Sequence, residues 1–377
     1  MAAGKPTPVL RRYANAVIRR AVDPLAYLPA PSRPPTTTPV AGVVGYYGWG
    51  NYGDELFLEV FRQHLEPPIR LRTVLDPEAG RIRGRAIGRA VRASDVMLIG
   101  GGDIVIPWSQ GTRYWDKAYL HRPTFIAGVG VPTWGGSQFE RLEGLQRFFQ
   151  HPSVRYVGVR DGASAAFIRE RLQPRVPVIE TPDLVCALDL PAVERPSDPP
   201  IFGVAVRRRQ GKDDLSAVRT LALRAQELGY RVRRIVLATG RTRLRDEETT
   251  AELDLPDTEL VASDDLTVIT RAIGECTAMA SMKFHGFVVA TLYGVPCFVL
   301  MPTAKNRYLV DTIGRRDLLS HYGDKELAER LAAGLAPIDP EVVARLRRDA
   351  VASVEHLRDA MVATASGAAM AASNGSS

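Results

Sequence analysis

The stretch GYYGWGNYGDE, residues 45–55, follows the apolar run Val43–Val44 and holds four glycines and then two adjacent carboxylates. An apolar run that leads through a glycine-rich turn into a helix is the basic unit of doubly wound α/β sheets. The glycines also have the spacing Gly48-x-Gly50-x-x-Gly53 of the dinucleotide fingerprint. The first question is therefore whether this loop binds a pyrophosphate.

The two carboxylates argue against a dinucleotide site. Asp54 and Glu55 would occupy the first helical turn, where a pyrophosphate would sit, and like charges repel strongly in a half-desolvated site. Asp76 does lie at roughly the spacing of a ribose ligand. The glycines could instead bring Asn51 and Asp54 into a cleft to accept hydrogen bonds from a hydroxyl-bearing substrate. The alternative left open is that Asp54 and Glu55 only complement the helix dipole.

From residue 40 onward, short apolar runs alternate with helical patterns, which predicts parallel sheets with crossover helices. The stretch LPAVERPSDPP, residues 190–200, interrupts the alternation. Strands are predicted at 41–46, 69–74, 95–99, 124–129 and 155–159, and again at 201–206, 232–238, 259–262, 277–281 and 296–300. We therefore predict an α/β protein with two doubly wound Rossmann-like domains facing a cleft.

The predicted domain boundaries follow from this pattern. They are a basic N-terminal segment with a Pro-rich linker at 1–39, an N-terminal Rossmann-like domain at 40–190, a linker at 191–200, a C-terminal Rossmann-like domain at 201–338, a helix at 339–364 and a disordered tail at 365–377.

Charge and cysteine content exclude several classes of protein. The net charge is +7, but residues 1–40 contain six basic residues and one acidic residue, so the remainder is nearly neutral and nucleic-acid binding is not expected. Three cysteines lie far apart in apolar strings, which suggests neither a disulfide framework nor a zinc site and fits a reducing cytoplasm. No membrane-spanning segment is predicted.

The N-terminal segment has a helical pattern of its own. Apolar residues recur at helical spacing within residues 9–25, with arginine pairs elsewhere on the surface. Such a helix could rest on an anionic membrane, and the alternatives are a helix packed on the body or a disordered arm. The expected location is the cytoplasm, with peripheral contact at the inner face of the cell membrane left open.

Two further loops follow predicted strands at their carboxyl ends, where open α/β sheets bind ligands. In LIGGGDIVIP, residues 98–107, three glycines precede Asp103. In VGVRDGAS, residues 157–164, Arg160 and Asp161 precede a predicted helix start. An Arg-Asp pair at a helix start is more typical of a structural cap and ion pair than of a ligand contact.

The stretch SMKFHGFVVATLYGVPCFVL, residues 281–300, is the most informative about chemistry. We predict that a strand ends near Ser281 and a helix starts after Gly286, which puts Lys283 and His285 at the positive end of a helix dipole. On extended chain the two side chains face the same side. They predict an anion site with a titratable proton donor.

The order of these motifs resembles the polysaccharide pyruvyl transferase family over roughly residues 42–310. The motifs are GYYGWGNYGDE, GGGD, VGVRD with PDLV (182–185), and SMKFHGFVVATLYGVP. The resemblance implies a fold like that of two-domain GT-B glycosyltransferases. It also implies an enzyme that forms a pyruvate ketal on sugar hydroxyls, with phosphoenolpyruvate as co-substrate, a saccharide or lipid-linked saccharide as acceptor, and no cofactor or metal.

The resemblance assigns roles to individual residues. His285 matches the catalytic acid/base of the family's Ser-x-Arg-x-His-Gly motif, in which Lys283 here replaces the arginine. Lysine binds an anion as a point charge and lacks the bidentate fork of arginine. Arg207 and Lys305 match family cations at the donor, and Arg208 and Arg209 could compensate for the missing guanidinium.

On this prediction the C-terminal domain binds the donor and the N-terminal domain binds the acceptor. The expected donor-binding residues are Arg207, Arg209, Lys283 and Lys305, and the expected acceptor-binding residues are Asn51, Asp54 and Asp103. Asp54 would act either as the base for the acceptor or only as a hydrogen-bond acceptor for the sugar. His285 would donate a proton to the methylene carbon of phosphoenolpyruvate.

Two rival functions remain. A nucleotide-sugar-dependent GT-B glycosyltransferase would be expected to bind ribose hydroxyls with a carboxylate near its cleft helix, whereas residues 276–304 contain no Asp or Glu. A binding or scaffold protein that kept the fold without activity is the other, because Lys283 replaces the family arginine.

Overall fold

Two parallel sheets organise the chain, and the computed structural model describes residues 38–74, 83–109, 113–132, 142–196, 198–208 and 214–374. For 83–86 and 368–374 only the backbone is described. The predicted membrane-contacting segment at 9–25 and the predicted donor residue Arg209 lie outside the described residues.

The N-terminal sheet has six parallel strands in the order β2-β1-β3-β4-β5-β6. All five residues of β1, VAGVV, are buried, as expected for a central strand covered by helices on both faces. The strands are β1 Val40–Val44, β2 Arg70–Thr73, β3 Val96–Gly102, β4 Thr124–Val129, β5 Val154–Val159 and β6 Val178–Glu180.

The C-terminal sheet has five parallel strands in the order β11-β10-β7-β8-β9. Its central strand, IFGVA, is also buried throughout. The strands are β7 Ile201–Ala205, β8 Arg231–Ile235, β9 Glu259–Val261, β10 Ala278–Ser281 and β11 Cys297–Val299.

Helices connect these strands. Those of the described chain are α1 Tyr52–Leu65, α2 Arg83–Arg92, α3 Glu143–Phe149, α4 Gly162–Phe167, α5 Ser216–Glu227, α6 Gly240–Ala251, α7 Leu266–Gly274, α8 Phe284–Leu292, α9 Ala304–Thr312, α10 Leu327–Ala332 and α11 Pro340–Asn374. Shorter helical turns lie at Lys117–His121, Ile168–Leu172, Leu184–Ala187 and Arg316–Leu318. Every residue of α8 is buried, because this helix is apolar on all sides.

The strand order reverses once in each sheet, between β1 and β3 in the first and between β7 and β10 in the second. Chain segments that leave neighbouring strands at such a point diverge to opposite faces and leave a crevice outside the carboxyl ends. Most predicted site residues follow these four strands: Asn51 and Asp54 follow β1, Asp103 follows β3, Arg207 follows β7, and Lys283 and His285 follow β10.

All ten strands predicted from the sequence are confirmed, with ends shifted by at most three residues. In the N-terminal sheet the largest difference is at the end of β3, which continues through Gly100–Gly102 where the sequence suggested a loop. The short edge strand β6 was not predicted, since it has only three residues and follows Pro177.

The C-terminal helix is longer than the sequence predicted. It runs from Pro340 to Asn374, so the predicted helix end at 364 and the disordered tail from 365 are corrected. Alanine is the strongest helix former, and it is the commonest residue in the last part of this helix. Apolar residues at helical spacing from Val343 to Ala365 are buried, and the helix packs on α1 and on the Leu184–Ala187 turn of the N-terminal domain.

Candidate active site

A cavity of about 370 Å³ lies where the four segments at the two switch points meet. Both domains line it, and it contains every predicted site residue that the structure describes: Asn51, Asp54, Asp103, Arg207, Lys283, His285 and Lys305. Lys305 enters from the first turn of α9, which follows β11. The structure thus brings these side chains together, while their roles remain predictions.

The glycine-rich loop after β1 does not present free amides to a ligand. The Glu55 carboxylate accepts hydrogen bonds from Gly48 N at 2.8 Å and from Gly50 N at 3.2 Å. These are amides that a bound pyrophosphate would need. Glu55 therefore occupies the amides that a phosphate would bind, which argues against a dinucleotide-binding function.

The same loop contacts the C-terminal domain. Gly50 O accepts hydrogen bonds from Thr239 N at 2.8 Å and from the Thr242 hydroxyl at 2.7 Å. Gly50 has a φ of 84°, and a Cβ at this position would lie 1.9 Å from Thr239 O. Glycine is therefore needed at residue 50 both for the turn and for the close approach of the two domains.

Asp54 is a buried carboxyl at the N-terminal wall of the cavity. Its Oδ2 accepts a hydrogen bond of 2.5 Å from Asn51 Nδ2. A Cβ at residue 102 would lie 2.6 Å from its Oδ1, so glycine at this position leaves room for the carboxyl. Burial raises the pKa of Asp54 to about 7, against the lowering effect of Lys305 and Arg160 and with a smaller raising effect of Asp103 and Glu55. Asp54 can therefore gain or lose a proton near neutral pH.

His285 lies in the first turn of α8, which begins at Phe284. The predicted helix start after Gly286 is wrong, because the Ser281 hydroxyl accepts a hydrogen bond from Lys283 N and turns the chain into the helix earlier. Lys283 and His285 therefore do not alternate along an extended strand. Both still line the same cavity, Lys283 from the N-cap and His285 from the helix.

The His285 ring is held from both domains. Its side chain is 11% exposed, and Nε2 lies 3.6 Å from Asp183 Oδ2 in the N-terminal domain. Nε2 is buried and has no hydrogen-bond partner at normal distance among the residues that the structure describes. The rings of Phe57 and Phe284 contact the imidazole in edge-on geometry at centroid distances of 5.6 and 5.1 Å. The histidine thus lies at the base of the cavity with a carboxylate on its inner side.

Burial lowers the pKa of His285, and the nearby Asp183 opposes this shift, whereas Arg160 and Lys305 add to it. Burial alone would raise the pKa of Asp183, but His285 and Arg160 outweigh it and the net shift is downward. Without a ligand the imidazole is therefore neutral at pH 7. A bound anion would raise the pKa of His285 again.

Arg160 and Asp183 are site residues that sequence reasoning missed or underrated. The Arg160 side chain is 1% exposed; it forms an ion pair with Asp103 and donates a hydrogen bond of 3.4 Å to Asp183. The predicted cap is at the next residue, where Asp161 accepts a hydrogen bond from Ser164 N at the start of α4. Asp183 follows the unpredicted strand β6, so the signals that could have indicated it were its place in the PDLV motif (182–185) and the recurrence of a carboxylate after a strand.

Two of the predicted donor cations already have protein partners. Lys283 Nζ donates to Asp246 and, at 2.6 Å, to Leu237 O, and Lys305 Nζ donates to Asp103 at 2.8 Å. Burial lowers the pKa of both lysines against the effect of these carboxylates. Asp103 therefore binds Lys305 and Arg160 in this structure rather than standing free for an acceptor.

Arg207 is different from these lysines. It is exposed and has no ion-pair partner among the described residues, yet it lines the cavity. Arg208 forms an ion pair of 3.8 Å with Glu252 and does not line it. Among the described residues no cluster of side chains suits a metal ion, and no described helix is long and apolar enough to cross a membrane.

Gly53 sets the position of the His285 ring, which gives a direct test of the site. A Cβ at Gly53 would lie 1.7 Å from His285 Nδ1, so Gly53→Ala must displace the imidazole or α1. We expect kcat of the pyruvyl transfer that the sequence predicts to fall about 10²-fold, as when a catalytic group is misplaced by about 1 Å. Gly144→Ala in α3, where a Cβ meets nothing within 4 Å, is the matched control. Equal kcat values for the two variants would contradict this role.

Solved structures confirm the GT-B-like architecture. The chain is similar to UDP-GlcNAc 2-epimerase from Methanocaldococcus jannaschii (TM-score 0.54, 9% identity, 86% of this chain and 99% of that chain covered). It is also similar to MnaA from S. aureus in complex with UDP (0.53, 11%, 83% and 91%) and to the wall teichoic acid polymerase TagF (0.53, 12%, 95% and 97%). At these identities the likeness concerns the fold alone.

The sequence itself points to one family. No curated protein matches it significantly. The family model for polysaccharide pyruvyl transferase, however, matches residues 51–302, a range that includes Asn51, Asp54, Asp183, Arg207 and His285. This range is most of the chain, and it runs through both domains and through all four segments that build the cavity. The chain therefore belongs to the polysaccharide pyruvyl transferase family.

Proposed function

We propose that this protein transfers the pyruvyl unit of phosphoenolpyruvate onto two hydroxyls of a sugar in a cell-surface polysaccharide or glycolipid precursor. The products are a pyruvate ketal and phosphate. The observation that carries the proposal is the placement of His285 among Arg207, Lys283 and Lys305 in one cavity, in a chain of this family.

The charges of the cavity suit an anionic donor. Four cations, Arg160, Arg207, Lys283 and Lys305, line it. Asp103, Asp183 and Asp246 compensate the buried cations, whereas Arg207 has no acidic partner in the part of the chain that the structure describes. Phosphoenolpyruvate brings a carboxylate and a phosphate, which such cations bind through charge-assisted hydrogen bonds.

Donor binding would also prepare the acid. Burial and, to a smaller extent, Arg160 and Lys305 lower the pKa of His285, and a bound anion would neutralise the field of these cations. The pKa of His285 would then rise, so the imidazole takes up a proton when the donor is present. Asp183 would stabilise the imidazolium from its inner side, as a buried carboxylate does beside a catalytic histidine.

The proposed reaction balances with one proton donor. His285 protonates the methylene carbon of phosphoenolpyruvate, which leaves an oxocarbenium-like centre at the adjacent carbon. One sugar hydroxyl attacks this carbon, phosphate leaves, and the second hydroxyl closes the ketal. Of the two hydroxyl protons, one replaces the proton that His285 gave and the other departs with phosphate.

Asp54 would act on the acceptor either as a base or only as a hydrogen-bond acceptor. If its carboxylate is the base, kcat/KM for the acceptor should rise with pH and level off above about pH 7, the pKa to which burial raises this group. Asp54→Asn should lose this ascending limb and lower kcat by roughly 10²-fold. A variant that keeps the wild-type pH profile would leave Asp54 only as a hydrogen-bond acceptor for the sugar.

The raised pKa of Asp54 also makes the free energy of unfolding depend on pH. Folded Asp54 keeps its proton up to about pH 7, whereas the ordinary pKa is 3.8. Between these values the folded state binds more protons than the unfolded state, so the contribution of this group to the free energy of unfolding falls as pH rises. Asp54→Asn should lack that fall, which urea unfolding at several pH values measures independently of activity.

Phosphate release tests the proposed function. The full-length protein is incubated with phosphoenolpyruvate and, in turn, with the methyl pyranosides of glucose, galactose, mannose, N-acetylglucosamine and N-acetylmannosamine. We expect acceptor-dependent phosphate release and thermal stabilisation by phosphoenolpyruvate but not by UDP- or GDP-sugars. Stabilisation by a nucleotide sugar alone would favour the glycosyltransferase, and stabilisation without turnover would favour a binding protein.

A further inference from the structure

The loop after β1 carries four aromatic residues, and packing explains two of them. Tyr47 is buried and donates a hydrogen bond of 2.6 Å to Gly100 O. Tyr52 is buried and its hydroxyl lies 2.7 Å from Thr270 Oγ1 in the other domain. Tyr46 and Trp49 are only partly buried, and they stack on each other with ring centroids 5.6 Å apart and planes 13° from parallel.

A second segment completes this surface. The Arg113 guanidinium lies over the Trp49 ring, 4.5 Å from its centroid, a distance typical of a cation–π contact. Arg113 also forms a side-chain hydrogen bond with Tyr114. Tyr46, Trp49, Arg113 and Tyr114 thus form one connected unit, the aromatic wall.

The aromatic wall belongs to the same cavity as the candidate catalytic groups. Tyr46 and Tyr114 line it beside Asn51 and Asp54. The negative charge of Asp54 also contributes to the raised pKa of both tyrosines, after burial as the main cause, which indicates that the rings and the carboxyl are close. The cavity is therefore asymmetric: Tyr46, Tyr114, Asn51 and Asp54 lie on the N-terminal domain, whereas three of the four lining cations, Arg207, Lys283 and Lys305, lie on the C-terminal domain.

We propose that the aromatic wall is the acceptor subsite and that it binds a pyranose ring by stacking on its apolar C–H face. This inference rests on the proposed function and names the part of the cavity that its acceptor occupies. The face of an aromatic ring carries negative partial charge, which attracts the C–H groups of a sugar. The hydroxyl edge of the stacked ring then meets Asn51 and Asp54, while the donor lies against the opposite, cationic side.

The two glycines at positive φ on either side of Trp49 support a preformed subsite. Gly48 and Gly50 have φ values of 74° and 84°, and Glu55 binds the amides of both. The loop is therefore fixed without a ligand, and little conformational entropy is lost when a sugar binds. A planar nucleobase could stack on the same rings, so uridine diphosphate serves as the rival ligand in the test.

Steady-state kinetics of Tyr46 variants test the subsite. The acceptor is the methyl pyranoside that gives the fastest phosphate release, and phosphoenolpyruvate is saturating. Tyr46→Ala should raise the acceptor KM roughly tenfold, the effect of losing one aromatic contact, and leave the KM for phosphoenolpyruvate unchanged. Tyr46→Phe should behave as wild type because the ring face is kept. Tyr230→Ala is the matched control, since Tyr230 is also partly buried, contacts the Phe202 ring edge-on at a centroid distance of 6.2 Å and lies outside the cavity.

An unchanged acceptor KM in Tyr46→Ala, or a raised KM for phosphoenolpyruvate instead, would overturn the inference. A binding measurement without donor distinguishes failure of the subsite proposal from failure of the proposed function. Saturation-transfer NMR with the same methyl pyranosides should show sugar signals with wild type and Tyr46→Phe and lose them with Tyr46→Ala. Equal sugar signals in all variants would contradict the subsite. So would a Tyr46→Ala variant that loses the signals of uridine diphosphate but keeps those of the sugar. Both outcomes can be read whether or not phosphoenolpyruvate turns over.

Discussion

Replacing His285 by asparagine is expected to lower kcat by about 10²–10⁴-fold, the range that a positioned general acid contributes. Asparagine fits the space of the ring edge but cannot deliver a proton at neutral pH. Binding of phosphoenolpyruvate should weaken much less than turnover, because Arg207, Lys283 and Lys305 are intact and only the charge that His285 gains with the donor is lost. Steady-state phosphate release and the thermal shift given by phosphoenolpyruvate measure the two effects separately.

The comparison with Asp183→Asn sharpens this prediction. Asp183 lies 3.6 Å from His285 Nε2 but does not contact the reacting atoms in the proposed reaction. Its loss removes the main effect that opposes the lowered pKa of His285, so the descending limb of the pH profile should move to lower pH. An unchanged kcat in His285→Asn would show that the proton comes from another group and would remove the basis of the mechanism.

Replacing Arg160 by methionine is expected to lower the free energy of unfolding by about 3–5 kcal/mol, as when one partner of a buried ion pair is removed. The guanidinium is 1% exposed and lies between Asp103 and Asp183. It also lies over the Phe284 ring, 5.4 Å from the centroid. Without it, the buried Asp183 loses its arginine partner and the part-buried Asp103 keeps only Lys305, at the joint between the domains. Urea unfolding followed by circular dichroism measures the change.

Arg224→Met is the matched control for Arg160. Arg224 pairs with Glu227 one helical turn away, and both side chains are exposed, so its loss should cost less than about 1 kcal/mol. Arg160→Met combined with Asp183→Asn should recover part of the lost stability, because one uncompensated charge is removed. Equal unfolding midpoints for Arg160→Met and Arg224→Met would show that Arg160 does not stabilise the domain joint.

The sequence was sufficient for most of the fold because the central strands of both sheets, β1, β3, β4, β7 and β10, are buried over their whole length. Runs such as VAGVV and IFGVA can only be central strands of covered sheets. The C-terminal helix was cut short because its last turns are rich in alanine, serine and glycine. That composition is typical of a tail, yet alanine also favours the helix.

The candidate site was predictable where a residue follows a strand at a switch point, as for Asp54, Asp103 and His285. Its ion pairs were not, since Lys283 with Asp246 and Lys305 with Asp103 join segments far apart in the chain. Pairing of Lys283 with Asp246 depends on how segments pack within the C-terminal domain, and pairing of Lys305 with Asp103 depends on how the two domains approach each other. The same reason hid Asp183, whose partner His285 belongs to the other domain.

Protonation of the donor carbon, the step assigned to His285, is tested most directly by running the reaction in D₂O. Phosphoenolpyruvate and the accepted methyl pyranoside are incubated with the wild-type protein, and the ketal is analysed by mass spectrometry and NMR. We expect one deuterium in the methyl group of each ketal, together with a stoichiometric release of phosphate. A ketal methyl group without solvent deuterium, or a transferred sugar in place of a ketal, would contradict the proposed chemistry.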